Sequence, residues 1–194
     1  MCIRDSFTSA DFDLDESTAY PRLYQERGTQ ATDDLSITLL QGRSIGGSTT
    51  INWTTCYRTP DRILHHWAEH HGTGEISPDV LQPHFESVEQ RLNIGVWPEE
   101  RANPNNQVVL RGARALGWEA HPLKRNVRGC ANSGFCGVGC PVNGKQAKHL
   151  TYIPDALGHG ARFYSDVQVD EVSHTGRRAT GVTGRVLVLS LIHI

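Results

Sequence analysis

Hydrophobic residues recur at helical spacing in the middle of the chain. Ile63, Leu64 and Trp67 fall on one stripe of a helix, and Gly72 is a typical C-terminal signal. Ser77-Pro78-Asp79 is a typical helix start, and the proline at position 83 lies close enough to that start to be tolerated. The pattern predicts three helices, at residues 62–71, 80–92 and 105–116.

Alternating apolar positions and turn-forming residues predict the other elements. Leu35 to Leu40 alternates toward an apolar run and predicts a strand that leads into a glycine-rich stretch. Two strand-like runs between residues 161 and 186 flank Thr175-Gly176 and predict a β-hairpin or adjacent strands. Three further segments are a short helix at residues 18–26 interrupted at Pro21, a helix at residues 146–157 broken near Pro154, and an irregular Gly- and Cys-rich loop at residues 129–144. The fold class expected is therefore α/β, with helices and strands mixed.

The two ends of the chain encode the same DNA in opposite orientations. Met1 to Ser6 reads MCIRDS, which ATG TGT ATA AGA GAC AG plus one base encodes, and Leu189 to Ile194 reads LSLIHI, which CTG TCT CTT ATA CAC ATC encodes. These strings are reverse complements, as a sequencing adapter ligated to both ends of a DNA fragment would produce. We expect residues 1–6 and 189–194 to be adapter-derived, with both natural termini outside the sequence.

The composition narrows the class of partner. A formal net charge of −2 gives no electrostatic reason to expect nucleic acid or an anionic membrane surface. No apolar run approaches the ~20 residues that span a bilayer, so no membrane-spanning segment is expected. Cys56, Cys130, Cys136 and Cys140 are too few and too clustered for a disulfide scaffold. The location stays open because the natural N-terminus is missing, with the cytoplasm favoured.

The most informative segment is Gly42 to Pro60, GRSIGGSTTINWTTCYRTP. Gly46-Gly47 permits a ligand to approach the backbone closely, and Ser48 to Thr50 supplies hydroxyl and amide groups that could bind phosphate oxygens. From the residues alone, a tight strand-to-helix turn is an equally good interpretation.

Residues 42–52, Gly-Arg-x-Ile-Gly-Gly-Ser-Thr-x-Ile-Asn, resemble the first signature of the glucose-methanol-choline oxidoreductases. A second segment, Ala161 to Val172, is similar to the family strand whose backbone pairs with the adenine of FAD. Some members attach FAD through a histidine just before the motif's Asn, and Ile51 stands at that position, so non-covalent FAD is expected. By this resemblance, the cofactor-binding residues are Arg43, Gly46, Gly47, Ser48, Asn52, Trp53, Thr55 and Val169.

The resemblance also implies a domain organisation and a reaction. Residues 7–71 would be part of a Rossmann-like FAD-binding domain, residues 72–128 part of a helical substrate-domain insertion, and residues 129–188 the return to FAD-domain strands. The complete enzyme would oxidise a small-molecule alcohol by transferring hydride to flavin, with an electron acceptor that the sequence does not identify. The dinucleotide-binding Gly-x-Gly-x-x-Gly and the catalytic histidine would lie outside this chain, so it would hold no catalytic residue and be inactive alone.

Two other constellations favour different functions. His66, Glu69 and His70 fit H-x-x-E-H, in which two histidines one helical turn apart bind zinc in a hydrolase. Cys130, Cys136 and Cys140 could hold zinc or an iron–sulfur cluster, with structural thiols in a surface loop as the alternative. We expect a metal at neither place. Arg58, just past the glycine-rich motif, is expected to be a surface charge, with a position near the flavin as the alternative.

Overall fold

A computed structural model describes residues 7–187, so the two adapter-derived hexapeptides predicted from the sequence lie outside the described residues. The described chain mixes helices with short strands. The helices are α1 (Glu16–Leu23), α2 (Asp61–His71), α3 (Pro78–Arg91), α4 (Pro104–Ala115) and α5 (Tyr152–Gly158). The strands are β1 (Thr55–Cys56), β2 (Ile94–Val96), β3 (Lys124–Asn126), β4 (Val167–Thr175) and β5 (Arg178–Val186). No helix within residues 7–187 is long and apolar enough to cross a bilayer.

The three central helices begin and end within two residues of the positions that the sequence indicated. Gly72 ends α2 in the left-handed conformation, with φ 67°. The Ser77 hydroxyl accepts a hydrogen bond from the Val80 N–H at 3.3 Å and caps α3. The Asn103 side chain accepts from the Asn106 N–H at 2.9 Å and caps α4. The Ser77 and Asn103 side chains each satisfy an N–H group that the helix itself leaves unpaired.

The described chain divides into two compact units. Unit 1 contains residues 7–53, 134–143 and 147–187, and unit 2 contains residues 54–133 and 144–146.

The core of unit 1 forms where α1 meets the Gly- and Cys-rich segment. The Tyr24 hydroxyl donates to the Gly137 carbonyl at 2.6 Å, which satisfies two buried polar groups at once. Tyr24 also stacks on Tyr20, with ring centroids 4.4 Å apart. The buried residues of this core are Phe12, Ala19, Leu23, Tyr24, Ile51 and Val138.

Part of the Gly- and Cys-rich segment is therefore core, and the expectation of a surface loop was wrong for these residues. Gly137, Val138 and Gly139 are buried. Gly139 has a φ of 97°, and a Cβ at this position would collide with the Phe12 ring. The Gly- and Cys-rich segment is irregular, as expected. At Gly139, the positive φ and the close packing against Phe12 both require glycine.

Unit 2 contains a three-stranded antiparallel sheet in the order β1-β3-β2. In the central strand, Arg125 pairs with Thr55 on one side and Gly95 on the other. The Arg125 Nε donates to the hydroxyl of the fully buried Thr54 at 2.7 Å. Leu64 of α2 and Leu110 of α4 are also buried, at 1% and 8% exposure.

Arg58 links the segment after β1 to α3. Its guanidinium donates to both carboxylate oxygens of Glu89, at 2.9 and 2.7 Å. The hydrogen bond from Arg58 lowers the pKa of the Glu89 carboxyl, and Lys124 contributes further. Arg58 is thus a half-buried partner in an ion pair within unit 2.

The predicted hairpin is confirmed as β4 and β5, joined by a two-residue turn at Gly176 and Arg177. The turn lies one residue later than the sequence indicated. Every residue of β5 is exposed, and the strand pairing shifts register between Val169 and Glu171 and again between Ser173 and His174. A lone hairpin with so little burial is marginal in water.

The strand predicted at Leu35 to Leu40 was wrong. The Asp34 carboxylate accepts from the N–H and hydroxyl of Ser36, at 3.1 and 2.9 Å, and Leu35 adopts a φ of 59°. Such an aspartate turn competes with extended structure. Thr38 forms only an isolated bridge to Ala31.

The helices that contain Pro21 and Pro154 both differ from their prediction. Helix α1 continues two residues past Pro21 to Leu23. Helix α5 starts only at Tyr152, so Pro154 lies in its first turn, where the helix needs no N–H from it. The preceding residues, Lys148–Leu150, form a separate 3-10 turn.

We predict that Tyr24→Phe destabilises the chain by about 1 kcal/mol, because the buried Gly137 carbonyl loses its donor. Urea unfolding followed by circular dichroism measures the change. Tyr164→Phe is the control, since Tyr164 is 63% exposed, and it should shift stability by less than about 0.5 kcal/mol. Equal stabilities for the two variants would contradict the role of this hydrogen bond.

We also predict a loss of stability at alkaline pH that depends on Tyr24. Burial, with Tyr20 adding to it, raises the pKa of the Tyr24 phenol from 10.0 to about 12. The unfolded state therefore releases its proton first, so the contribution of Tyr24 is complete below pH 10 and is lost between about pH 10 and 12. Urea midpoints measured across this interval should fall more steeply for the unmodified chain than for Tyr24→Phe. Parallel curves would exclude the effect.

Candidate functional site

The glycine-rich motif forms a closed loop in unit 1. The loop starts at Gly42, which lies beside the C-terminal end of α1. The Arg43 N–H donates to the Leu23 carbonyl at 2.9 Å, and Gly42 forms a bridge with Tyr24. At the other end of the loop, the Ile51 side chain is buried in the core, with 4% exposure. Core residues thus fix both ends of the loop.

Backbone contact closes the loop. A Cβ on Gly42 would lie 2.5 Å from the Gly47 carbonyl oxygen, closer than any side chain can approach. The Gly42 N–H donates to the Ser48 hydroxyl oxygen at 3.0 Å. Gly46 and Gly47 take φ values of 93° and 55°, which favour glycine. A 3-10 turn at Gly47–Thr50 follows, so the segment is neither the end of a strand nor the start of an α-helix.

The three hydroxyls after the glycines have different roles. The Thr49 hydroxyl donates to the Gly46 carbonyl at 2.5 Å and accepts from the Lys148 N–H at 2.9 Å. The Thr50 hydroxyl donates to the Ile45 carbonyl at 3.3 Å and is buried. Both hydroxyls stabilise the loop, because each donates its proton to a carbonyl group of the loop itself.

Ser48 differs because its side chain is exposed. Its oxygen accepts from the Gly42 N–H, which leaves the hydroxyl proton to be donated outward. A Cβ on Gly47 would meet no atom within 4 Å, so the backbone there faces open space. The structure therefore offers a hydrogen-bond donor next to accessible main chain.

The other predicted cofactor-binding residues occupy different places. Asn52 and Trp53 follow the 3-10 turn and are exposed, Trp53 at 63%, and Arg43 is half-buried. Thr55 is the first residue of β1 in unit 2 and is exposed. Val169 lies in β4 opposite Gly184 and is 39% exposed. The loop thus holds the predicted residues from Arg43 to Trp53 in unit 1, and Val169 belongs to the same unit.

Ser44 is a polar residue of the loop that the sequence analysis did not select. It is 2% exposed, and its hydroxyl has no hydrogen-bond partner within residues 7–187. A buried hydroxyl without a partner costs about 1–3 kcal/mol. No sequence signal marks this position, because serine in a turn is usually solvated.

The two rival metal constellations gain no support from geometry. The His66 and His70 rings lie 4.6 Å apart on α2, and Glu69 lies 3.9 Å from His70. Within the described part of the chain, no three His, Cys, Asp or Glu side chains are grouped so that they could hold a metal ion. The four cysteines of the described residues are partly buried, and none of them forms a disulfide there.

Comparison with known proteins identifies the family. Residues 20–187 match the family model described as GMC oxidoreductase. The chain belongs to the GMC oxidoreductase family.

Individual relatives agree with this assignment. An uncharacterized GMC-type oxidoreductase of Mycobacterium tuberculosis is 36% identical over 167 residues, which cover 86% of this chain and 27% of the relative. A long-chain-alcohol oxidase of Arabidopsis thaliana is 28% identical over 187 residues, which cover 92% of this chain and 24% of the relative. The chain thus spans about a quarter of the length of these curated relatives. No solved structure is significantly similar to it.

We predict that Gly42→Ala destabilises the chain by about 2 kcal/mol or more, because the new methyl group collides with the Gly47 backbone, which cannot move aside as a side chain would. Urea unfolding measures the change. The matched control is Gly158→Ala in α5 of the same unit, where a Cβ meets nothing within 4 Å; it should be neutral or stabilising by up to ~1 kcal/mol. Equal losses would show that the loop is not closed by this contact.

Proposed function

We propose that the chain is part of an FAD-dependent oxidoreductase that acts on CH–OH groups, and that its glycine-closed loop lies against the dinucleotide. The observation that supports the proposal is the exposed hydroxyl of Ser48 and its hydrogen bond. Its oxygen is held by the Gly42 N–H at 3.0 Å while its proton stays available next to the open backbone of Gly47. This is the donor that a pyrophosphate oxygen requires.

The residues of unit 1 suit FAD in their chemistry. Glycine backbone allows a flat or anionic group to approach, and exposed Asn52 and Trp53 add an amide and an aromatic surface. Ile51 supports non-covalent binding, since its buried side chain is aliphatic and has no nucleophilic atom. The residues proposed to hold the cofactor are Arg43, Gly46, Gly47, Ser48, Asn52, Trp53, Thr55 and Val169.

In this proposal, the residues of this chain bind the cofactor and orient it. When bound, flavin would supply the hydride acceptor for alcohol oxidation. The loop fixes the cofactor's position through Ser48 and the adjacent main chain. The group that takes the hydroxyl proton, and the Gly-x-Gly-x-x-Gly turn, are assigned to the rest of the family-length protein, so the chain by itself is expected to be inactive.

The substrate proposed is an alcohol. Its support is the long-chain-alcohol oxidases among the relatives, at 28% and 30% identity. We also propose that residues 7–71 and 129–188 belong to the FAD-binding domain and residues 72–128 to a substrate-side insertion. The exposed faces of β4 and β5 support a larger sheet, because a lone hairpin buries too little apolar surface to be stable.

The product of the full-length gene that contains this chain provides the test. After loading with FAD and removal of free cofactor, we expect a flavin absorption spectrum, release of FAD on denaturation, and oxidation of an alcohol. Ser48→Ala should weaken FAD binding about tenfold, as expected for one lost hydrogen bond to a charged oxygen.

Ser133→Ala is the matched control, since Ser133 is an exposed serine of unit 2. It should bind FAD like the unmodified protein. A colourless product after loading would refute the FAD assignment. Equal affinities for the two variants would refute the role of Ser48.

A further inference from the structure

Unit 2 contains a groove that the proposed cofactor loop does not use. Its volume is ≈ 200 Å³, and it lies along β2, the turn that ends at Arg101, and the chain from Val127 to Cys130. Arg125 of β3 also lines it. Opposite Arg125 in the sheet stands Gly95, where a Cβ would meet no atom within 4 Å. The missing side chain at this position keeps the groove open.

The groove is positively charged. Two arginines line it and its lining contains no aspartate or glutamate. Two nearby carboxylates are held by other cations: Glu99 pairs with Arg114 at 2.6 Å, and Glu89 pairs with Arg58 at 2.7 Å. Arg101 forms no ion pair with any residue between 7 and 187. One of its N–H groups donates to the Cys130 carbonyl at 2.6 Å, which leaves other donors of the guanidinium for a ligand.

Trp97 holds both arginines in place. The guanidinium carbons of Arg101 and Arg125 lie 4.7 and 4.6 Å from the centre of its ring. The ring itself is 9% exposed, so it is a rigid support for the two cations. Cation–π stacking orients each guanidinium before any ligand arrives, which reduces the entropy lost on binding.

We propose that this groove binds a small oxyanion, a carboxylate or a phosphate, through Arg101 and Arg125. The planar guanidinium fork matches the spacing of carboxylate and phosphate oxygens. The volume is below the ~300 Å³ at which pockets for drug-sized ligands begin, so the ligand is a small anion or the anionic end of a longer molecule. Neither flavin nor alcohol is needed for this binding.

The test uses the product of the full-length gene that contains this chain, and two probes, inorganic phosphate and acetate. Each is titrated at ionic strength kept constant with sodium chloride, and binding is followed by calorimetry and by tryptophan fluorescence. We expect at least one probe to bind. Binding of phosphate alone or acetate alone identifies the preferred class, and binding of both indicates a general oxyanion site. Binding of neither overturns the proposal.

Variants of Arg101 separate the groove from general surface charge. Arg101→Gln should weaken binding about tenfold or more, because a charged hydrogen bond is lost. Arg101→Lys should weaken it less, since one charged contact remains. Arg111→Gln removes the same charge from α4, outside the groove lining, and should bind like the unmodified chain.

Equal weakening by Arg101→Gln and Arg111→Gln would overturn the proposal. Far-UV circular dichroism checks that each variant is folded. Should Arg101→Gln lose its fold, Arg101→Lys decides the matter. An affinity equal to that of the unmodified chain would then overturn the role of the guanidinium fork.

Discussion

The backbone of Gly42 lies directly against that of Gly47, and the candidate site depends on this contact. A side chain at position 42 would occupy the space of the Gly47 carbonyl. With the loop closed, the Gly42 N–H reaches the Ser48 oxygen and directs the remaining hydroxyl proton outward. The neighbouring threonine hydroxyls are then used to hold the turn together. The Thr49 and Thr50 hydroxyls thus stabilise the loop itself, whereas the exposed Ser48 hydroxyl can still donate to a ligand.

The loop has a defined position because both of its ends belong to the core of unit 1. Leu23 accepts the hydrogen bond of Arg43 at the start, and Ile51 is buried at the end. The same core is completed by the segment around Gly137, which Tyr24 holds by a hydrogen bond. A site built on packed residues keeps its geometry better than one on a free loop.

In unit 2, charged side chains make contacts that connect its elements. The fork between Arg58 and Glu89 joins α3 to the segment after β1, and Trp97 supports two guanidinium groups. Arg58 is therefore paired with a carboxylate. The groove, in contrast, is lined by Arg101 and Arg125, and its lining contains no aspartate or glutamate. The groove lies where β2 and β3 pair, with Gly95 opposite Arg125.

The sequence by itself determined the three central helices and the hairpin, because caps and apolar spacing act between residues a few positions apart. Ser77, Asn103 and Gly72 each mark a helix boundary through a local hydrogen bond or backbone conformation. It also determined the family, because the spacing around Gly46 and Asn52 is itself the motif. Only the tertiary structure decided which hydroxyls stay available and where Gly137 lies, because these depend on partners far away in sequence, such as Lys148 for Thr49 and Tyr24 for Gly137.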